Sequence, residues 1–243
     1  AKSMKDIKTM VRMLVFVLPV IVLIKVITNN LSSAIIVLGI AIIMSFVATP
    51  RYDIFVITTI VGSVAIALFL YNLDWFLQIS DSFRFKRVMA WRDPELYPLD
   101  SGFQILQGLY AIGSGGLFGK GLGNSIQKLK FLPEPQNDMI FAVICEELGL
   151  FGACCVILMF LFMLWRFMVI ANNAQDLYGA LIVTGVLSHI AIQVILNIAV
   201  VTNTIPNTGI SLPFISYGGT SVAFLLAEIG LVLSVSRGIR LEE

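Results

Sequence analysis

The sequence predicts an all-α polytopic membrane protein, and three observations carry that reading. Hydrophobic residues make up 58% of the 243 positions and charged residues only 13%, whereas soluble domains carry about 25% charged residues. Six apolar stretches reach or approach the ~20 residues that a helix needs to cross a bilayer. The Lys and Arg residues of the short flanks also fall on one side when six spans alternate.

The spans expected are residues 11–28, 34–48, 54–71, 139–170, 178–201 and 220–236, in a single membrane domain. Pro19 predicts a kink in the first, because proline removes a backbone donor and clashes with the preceding turn. The second span is short. The fourth is long enough to place its first turn or two outside the hydrocarbon. The opening residues are polar and basic and do not read as a cleavable signal; a start on Ala instead of Met suggests a trimmed or partial chain.

Orientation follows from the flanks. Lys2, Lys5, Lys8 and Arg12 precede or open span one, Arg51 lies between spans two and three, Arg166 closes span four, and Arg237 with Arg240 follow span six. The opposite connections, 29–33 and 202–219, contain no Lys or Arg. Both termini are therefore expected in the cytoplasm of a cell whose plasma membrane the chain crosses, with loop 72–138 extracellular. A net charge of +1 gives no global field to attract nucleic acid. Cys145, Cys154 and Cys155 lack CxxC spacing and the chain has one His, so free thiols are expected and no metal cluster or disulfide framework.

The chemistry concentrates where the long loop meets span four. Glu134, Asp138, Glu146 and Glu147 cluster there, and carboxylates at the mouth of a membrane domain are costly to desolvate. Such groups hold a cation, pair with a cation, relay a proton or act as a general base; Glu146 and Glu147, which begin the helix, are expected to pair with loop cations. Within the loop, residues 102–112 have helical apolar spacing and suit an interfacial helix. The six glycines of 113–123 read either as a turn between interfacial helices or as a backbone cradle for an anionic head group, helped by Lys120. Arg84 and Arg87, with Trp91 and Arg92, read as head-group anchors or as forks for a pyrophosphate. On span five, His189, Gln193 and Asn197 share one face by their four-residue spacing. Interhelical hydrogen bonding accounts for them as well as cavity lining does. Glu228 in span six must be paired, hydrated or protonated. The connection 203–221 is rich in breakers and hydroxyls, Ser216 among them, and faces the acidic loop across one outward site.

Several ordered motifs carry a resemblance. Leu212-Pro-Phe-Ile-Ser-Tyr-Gly-Gly-Thr-Ser221, Gly121-Leu-Gly-Asn-Ser-Ile-Gln-Lys128, Leu132-Pro-Glu-Pro followed by Asp138 and Ile-Phe-Ala142, and Glu146-Glu-Leu-Gly149 together resemble the SEDS family of bacterial wall synthesis. Trp91-Arg-Asp-Pro94 and Ser101-Gly-Phe-Gln104 are more similar to its division and sporulation members, FtsW and SpoVE, than to the elongation member RodA. The resemblance implies the last six helices of a ten-helix peptidoglycan glycosyltransferase that polymerises lipid II beside a class B penicillin-binding protein. It implies an inverting reaction in which Asp138 is the catalytic base, and it admits a divalent cation, Mg or Mn, against the diphosphate of the substrate. No metal ligands are identified. Arg84, Arg87, Lys128, Glu134 and Ser216 are the candidate substrate contacts, with Gln193 and Asn197 lining the cavity. Gln136-Asn137 stand where the family has His-Thr, and Met139 where it has Phe. Two other readings stay open: a lipid II flippase in which Asp138 and Glu228 relay protons, and a non-catalytic scaffold for a penicillin-binding protein.

Overall fold

The computed structural model describes residues 7–28, 30–49, 52–72, 83–98 and 101–239. Every regular element among them is helical. Three long helices come first: α1 (Ile7–Thr28), α2 (Leu31–Ala48) and α3 (Tyr52–Tyr71). The segment expected as an outer loop then contributes α4 (Phe83–Arg92), a 3-10 turn at Pro94–Leu96, α5 (Ser101–Gly115) and the short α6 (Ile126–Lys130). Three more long helices close the chain: α7 (Ile140–Asn172), α8 (Leu177–Val201) and α9 (Gly219–Arg237). Helices α2, α7, α8 and α9 are long and apolar enough to cross a membrane, and Val15–Ile27 within α1 is a shorter apolar helix.

Local chemistry explains where several helices start. The Asn30 side chain accepts from the backbone N–H of Ser32 and Ser33 at 3.0 and 3.2 Å, so α2 begins on a capped turn. Asp176 caps α8 through Gly179 N at 2.8 Å, and Ser125 caps α6 through Lys128 N at 3.0 Å. The core forms where α7 packs on α8 and α5, and where α8 packs on α2 and α9. Ala111, Met139, Ala142, Val183, Ile190, Leu212 and Val232 are its most deeply buried members. Leu158, Met159, Phe162 and Trp165 on α7 and Leu226 and Leu233 on α9 point outward, as apolar side chains facing lipid do.

Helix α7 is not continuous. Gly149 has φ 68° and ψ −169°, which breaks it after two and a half turns. An unbroken helix would bond Leu150 N to Glu146 O and Phe151 N to Glu147 O. Instead, Leu150 N and Phe151 N donate to Gly116 O and Leu117 O at 2.9 and 3.1 Å. The two vacated carbonyls, Glu146 O and Glu147 O, accept from Lys120 N and Gly121 N, both at 2.9 Å. The glycine-rich turn thus replaces both missing helix bonds from both sides. These bonds pair each of the four backbone groups that the break releases, as burial requires.

Candidate active site

The loop between α6 and α7 carries Asp138 and is anchored at its ends by the buried Leu132 and Met139. Three consecutive carbonyls of this loop are captured from across the fold. Gln136 O accepts from Tyr217 N at 2.8 Å, Asn137 O from Ser216 Oγ at 2.6 Å, and Asp138 O from Asn197 Nδ2 at 2.8 Å. The second Asn197 N–H donates to Ile210 O at 2.8 Å. Ser216 Oγ also accepts from Leu212 N at 2.7 Å, closing the 212–216 turn. Helix α8 and the connection after it therefore hold the Asp138 backbone as one rigid unit.

The Asp138 carboxylate faces α5 and α4. Gln104 Nε2 lies 3.4 Å from Oδ1 and 3.5 Å from Oδ2. Gln104 Oε1 accepts from Asn207 Nδ2 at 2.8 Å, and Asn207 O accepts from Arg87 Nη1 at 3.3 Å. One turn along α4, Trp91 Nε1 donates to Asn203 O at 3.0 Å while Asn203 Nδ2 donates to Trp91 O at 3.3 Å. This reciprocal pair fastens α4 to the 202–209 connection. Burial pushes the Asp138 carboxyl above its ordinary value of 3.8, and the nearby Glu134 charge adds to the rise. The backbone hydrogen bond, Gln104 and Arg87 oppose it without cancelling it. A half-buried carboxylate whose proton affinity is raised is better matched to accepting a proton than an exposed one. Glu134 itself is exposed, adopts a left-handed φ of 50°, and accepts from Asn137 Nδ2.

The other two carboxylates do different work. Glu146 is fully buried and accepts from Lys120 Nζ at 2.7 Å, Ser125 Oγ at 2.5 Å and the backbone N–H of Ile126 and Gln127 at 3.2 and 3.3 Å. Glu147 pairs with Lys128 at 3.4 Å. Both therefore pair with loop cations, as the sequence leads one to expect. The anion-cradle alternative for residues 113–123 is corrected here. The Lys120 and Gly121 amides are engaged by the broken helix, and the Lys120 ammonium by Glu146, so the run is a structural turn.

Residues 2–241 match the family of FtsW, RodA and SpoVE, described as cell cycle proteins. The chain belongs to this family. It is 47% identical over 210 residues to stage V sporulation protein E of Bacillus subtilis (strain 168), covering 86% of this chain and 55% of that protein. It is 40% identical over 212 residues to a probable peptidoglycan glycosyltransferase FtsW of Trichlorobacter lovleyi, covering 87% and 54%. The chain spans about half the length of the curated relatives it matches. Among solved structures, a chain from a study of the structural coordination of polymerization and crosslinking by a peptidoglycan synthase complex has a TM-score of 0.77. It is 26% identical, covering 98% of this chain and 64% of that one. The rod shape determining protein RodA of Thermus thermophilus shares the fold at 23% identity and a TM-score of 0.62, over 98% of this chain and 60% of that one.

Against this family background, the expected site residues separate into groups. Asp138, Glu134 and Arg87 come together. The Arg84 side chain lies outside the described residues. Lys128 is half-exposed and joins the Glu147 cluster. Asn197 does not line a cavity: it is fully buried with both N–H groups on backbone carbonyls, which makes it a positioning residue for Asp138. Ser216 is likewise a latch on the Asp138 loop, not a substrate contact, because its hydroxyl already donates and accepts within the fold. Gln193 does line a cavity, of about 510 Å³ between α2, α8 and α9, together with His189 and Glu228. There His189 Nδ1 lies 2.9 Å from Glu228 Oε1 and its Nε2 lies 2.9 Å from Gln193 Nε2. Glu228 is thus paired, and Asp138 is not among the residues lining its cavity. Gln104 and Asn207 were not anticipated as site residues. Gln104 stood in a recognised motif, which was the available signal; Asn207 was one polar residue among many in the breaker-rich connection.

Proposed function

We propose that this chain carries the catalytic loop of a membrane glycosyltransferase that polymerises lipid II into peptidoglycan strands. The observation that carries the reading is Asp138: its backbone is pinned by three captured carbonyls, its carboxyl pKa is raised, and Arg87 stands close enough to act on it. Asp138 accepts the proton of the acceptor sugar hydroxyl as that oxygen attacks the anomeric carbon of the donor. The bond from that carbon to the diphosphate oxygen breaks, and its electron pair leaves with the lipid diphosphate. Arg87, and Arg84 on the same helix, offer the planar forks that suit phosphate oxygens. Glu134 stands beside Asp138, while Lys128 is held by Glu147.

A divalent cation would enter with the diphosphate. Among the described residues no group of three or more His, Cys, Asp or Glu side chains stands together to hold one beforehand. The Lys and Arg distribution supports cytoplasmic termini and an outward Asp138 in a bacterial plasma membrane. Likeness to a chain of a peptidoglycan synthase complex supports a transpeptidase partner of the class B penicillin-binding type.

The test is lipid II polymerisation in detergent by the full-length protein with its partner. Loss of strands in Asp138→Ala is expected. Undiminished turnover refutes the reading, and an intact complex with no synthesis under any condition points to a scaffold.

A further inference from the structure

Among the described residues, the Asp138 carboxylate has one side-chain donor, and that donor is itself oriented. Gln104 Nε2 sits astride both oxygens, at 3.4 and 3.5 Å. A glutamine amide can turn over and present either its oxygen or its NH2 group. Asn207 decides between them. Asn207 Oδ1 is occupied by Gly209 N at 2.9 Å, so it can offer only its NH2 to Gln104, and Nδ2 donates to Gln104 Oε1 at 2.8 Å. With its oxygen engaged, Gln104 must turn its own NH2 toward Asp138. The Asn207 backbone is held in turn by Arg87 at 3.3 Å.

We propose that Gln104 is a positioning residue for glycosyl transfer: it holds the Asp138 carboxylate in the orientation from which it accepts the proton, and Asn207 sets the polarity of that contact. The proposal rests on Asp138 being the base. The charged groups acting on Asp138 are Glu134 from its own loop and Arg87 from α4; Gln104 on α5 and Asn197 on α8 contribute neutral donors. A donor to the ionised form favours that form. Removing Gln104 therefore strengthens the hold of Asp138 on its proton and misorients it.

The experiment measures lipid II polymerisation by the full-length protein with its transpeptidase partner, as a function of pH and of lipid II concentration. Gln104→Leu is expected to lower kcat roughly tenfold, the effect of one hydrogen bond to a charged group, with KM little changed. The acid limb of its kcat profile moves to higher pH. Asn207→Ala, which leaves Gln104 in place but frees its amide to turn, shifts the limb in the same direction by less. It decides the matter if Gln104→Leu does not fold. A residue of merely structural importance would lower the amount of active protein and leave the limb in place. Asp138→Ala is run alongside. If it is inactive while Gln104→Leu and Asn207→Ala keep both kcat and limb, the positioning role is overturned and the base survives. If Asp138→Ala is active, both are overturned.

Discussion

Gly149→Ala probes the break in α7 and separates space from backbone conformation. A Cβ at this position would lie 2.4 Å from Gly119 N, 2.5 Å from Leu117 O and 2.6 Å from Leu117 C. All three are backbone atoms and cannot swing aside. The φ of 68° and ψ of −169° form a combination nearly reserved for glycine, which costs an L residue about 1–3 kcal/mol. Relieving the contact pushes the glycine-rich turn off the helix. Two of the four replacement hydrogen bonds lost would add about 1–3 kcal/mol. The sum is about 2–6 kcal/mol. Gly116→Ala is the control: its φ is 58°, yet nothing lies within 4 Å of the added carbon. It should cost only the left-handed strain of about 1–2 kcal/mol. SDS unfolding of the purified protein, followed by tryptophan fluorescence, should therefore separate the two variants by about 2.5 kcal/mol. Equal destabilisation would refute the argument that the turn and the broken helix are one interlocked unit.

Two further outcomes concern Asp138. Its carboxyl is raised above 3.8 by burial first and Glu134 next, so the folded protein holds this proton more tightly than the unfolded chain. The stability it contributes is full below the ordinary value and lost as pH rises through the raised one, while base activity rises through the same window. Glu134→Gln removes the like charge, and the acid limb of polymerisation should move to lower pH; a limb that stays or rises contradicts the electrostatic account. Asn197→Leu keeps the branched shape but leaves Asp138 O and Ile210 O without their donor. The expected cost is about 1–3 kcal/mol for each buried carbonyl, with kcat falling while lipid II binding is retained, read by SDS unfolding and steady-state kinetics. Asn197 Oδ1 has no donor among the described residues, so the side chain is present for its two N–H groups.

The long apolar helices were legible because a bilayer imposes a length and a composition on anything that crosses it. Pairing of Glu146 and Glu147 with loop cations was legible too, since a carboxylate in an apolar helix has to find a partner. The break at Gly149 was not. Leu148-Gly149-Leu150 reads as ordinary helix, and the second half of the structure, the turn at Gly116–Gly121, lies about 30 residues away. For Asn197, helical spacing showed which neighbours share its face but not that a loop from another element would occupy that face. Spacing is local information, whereas carbonyl capture depends on tertiary contact.

That distinction also explains how the Asp138 loop departs from its family's usual side chains without losing its support. Gln136 and Asn137 stand where the resemblance expects His-Thr. Both are gripped through their main-chain oxygens, by Tyr217 N and Ser216 Oγ, and every residue type presents that oxygen. The placement of Asp138 is thus set by the donors opposite the loop, Asn197, Ser216 and the Tyr217 amide, and not by the two side chains before it. The Asn137 side chain is left free to accommodate Glu134, the charge that helps raise the Asp138 pKa. Of the two side chains, that of Asn137 therefore bears on the electrostatics of Asp138 through Glu134, while the geometry of the loop is held through its main chain.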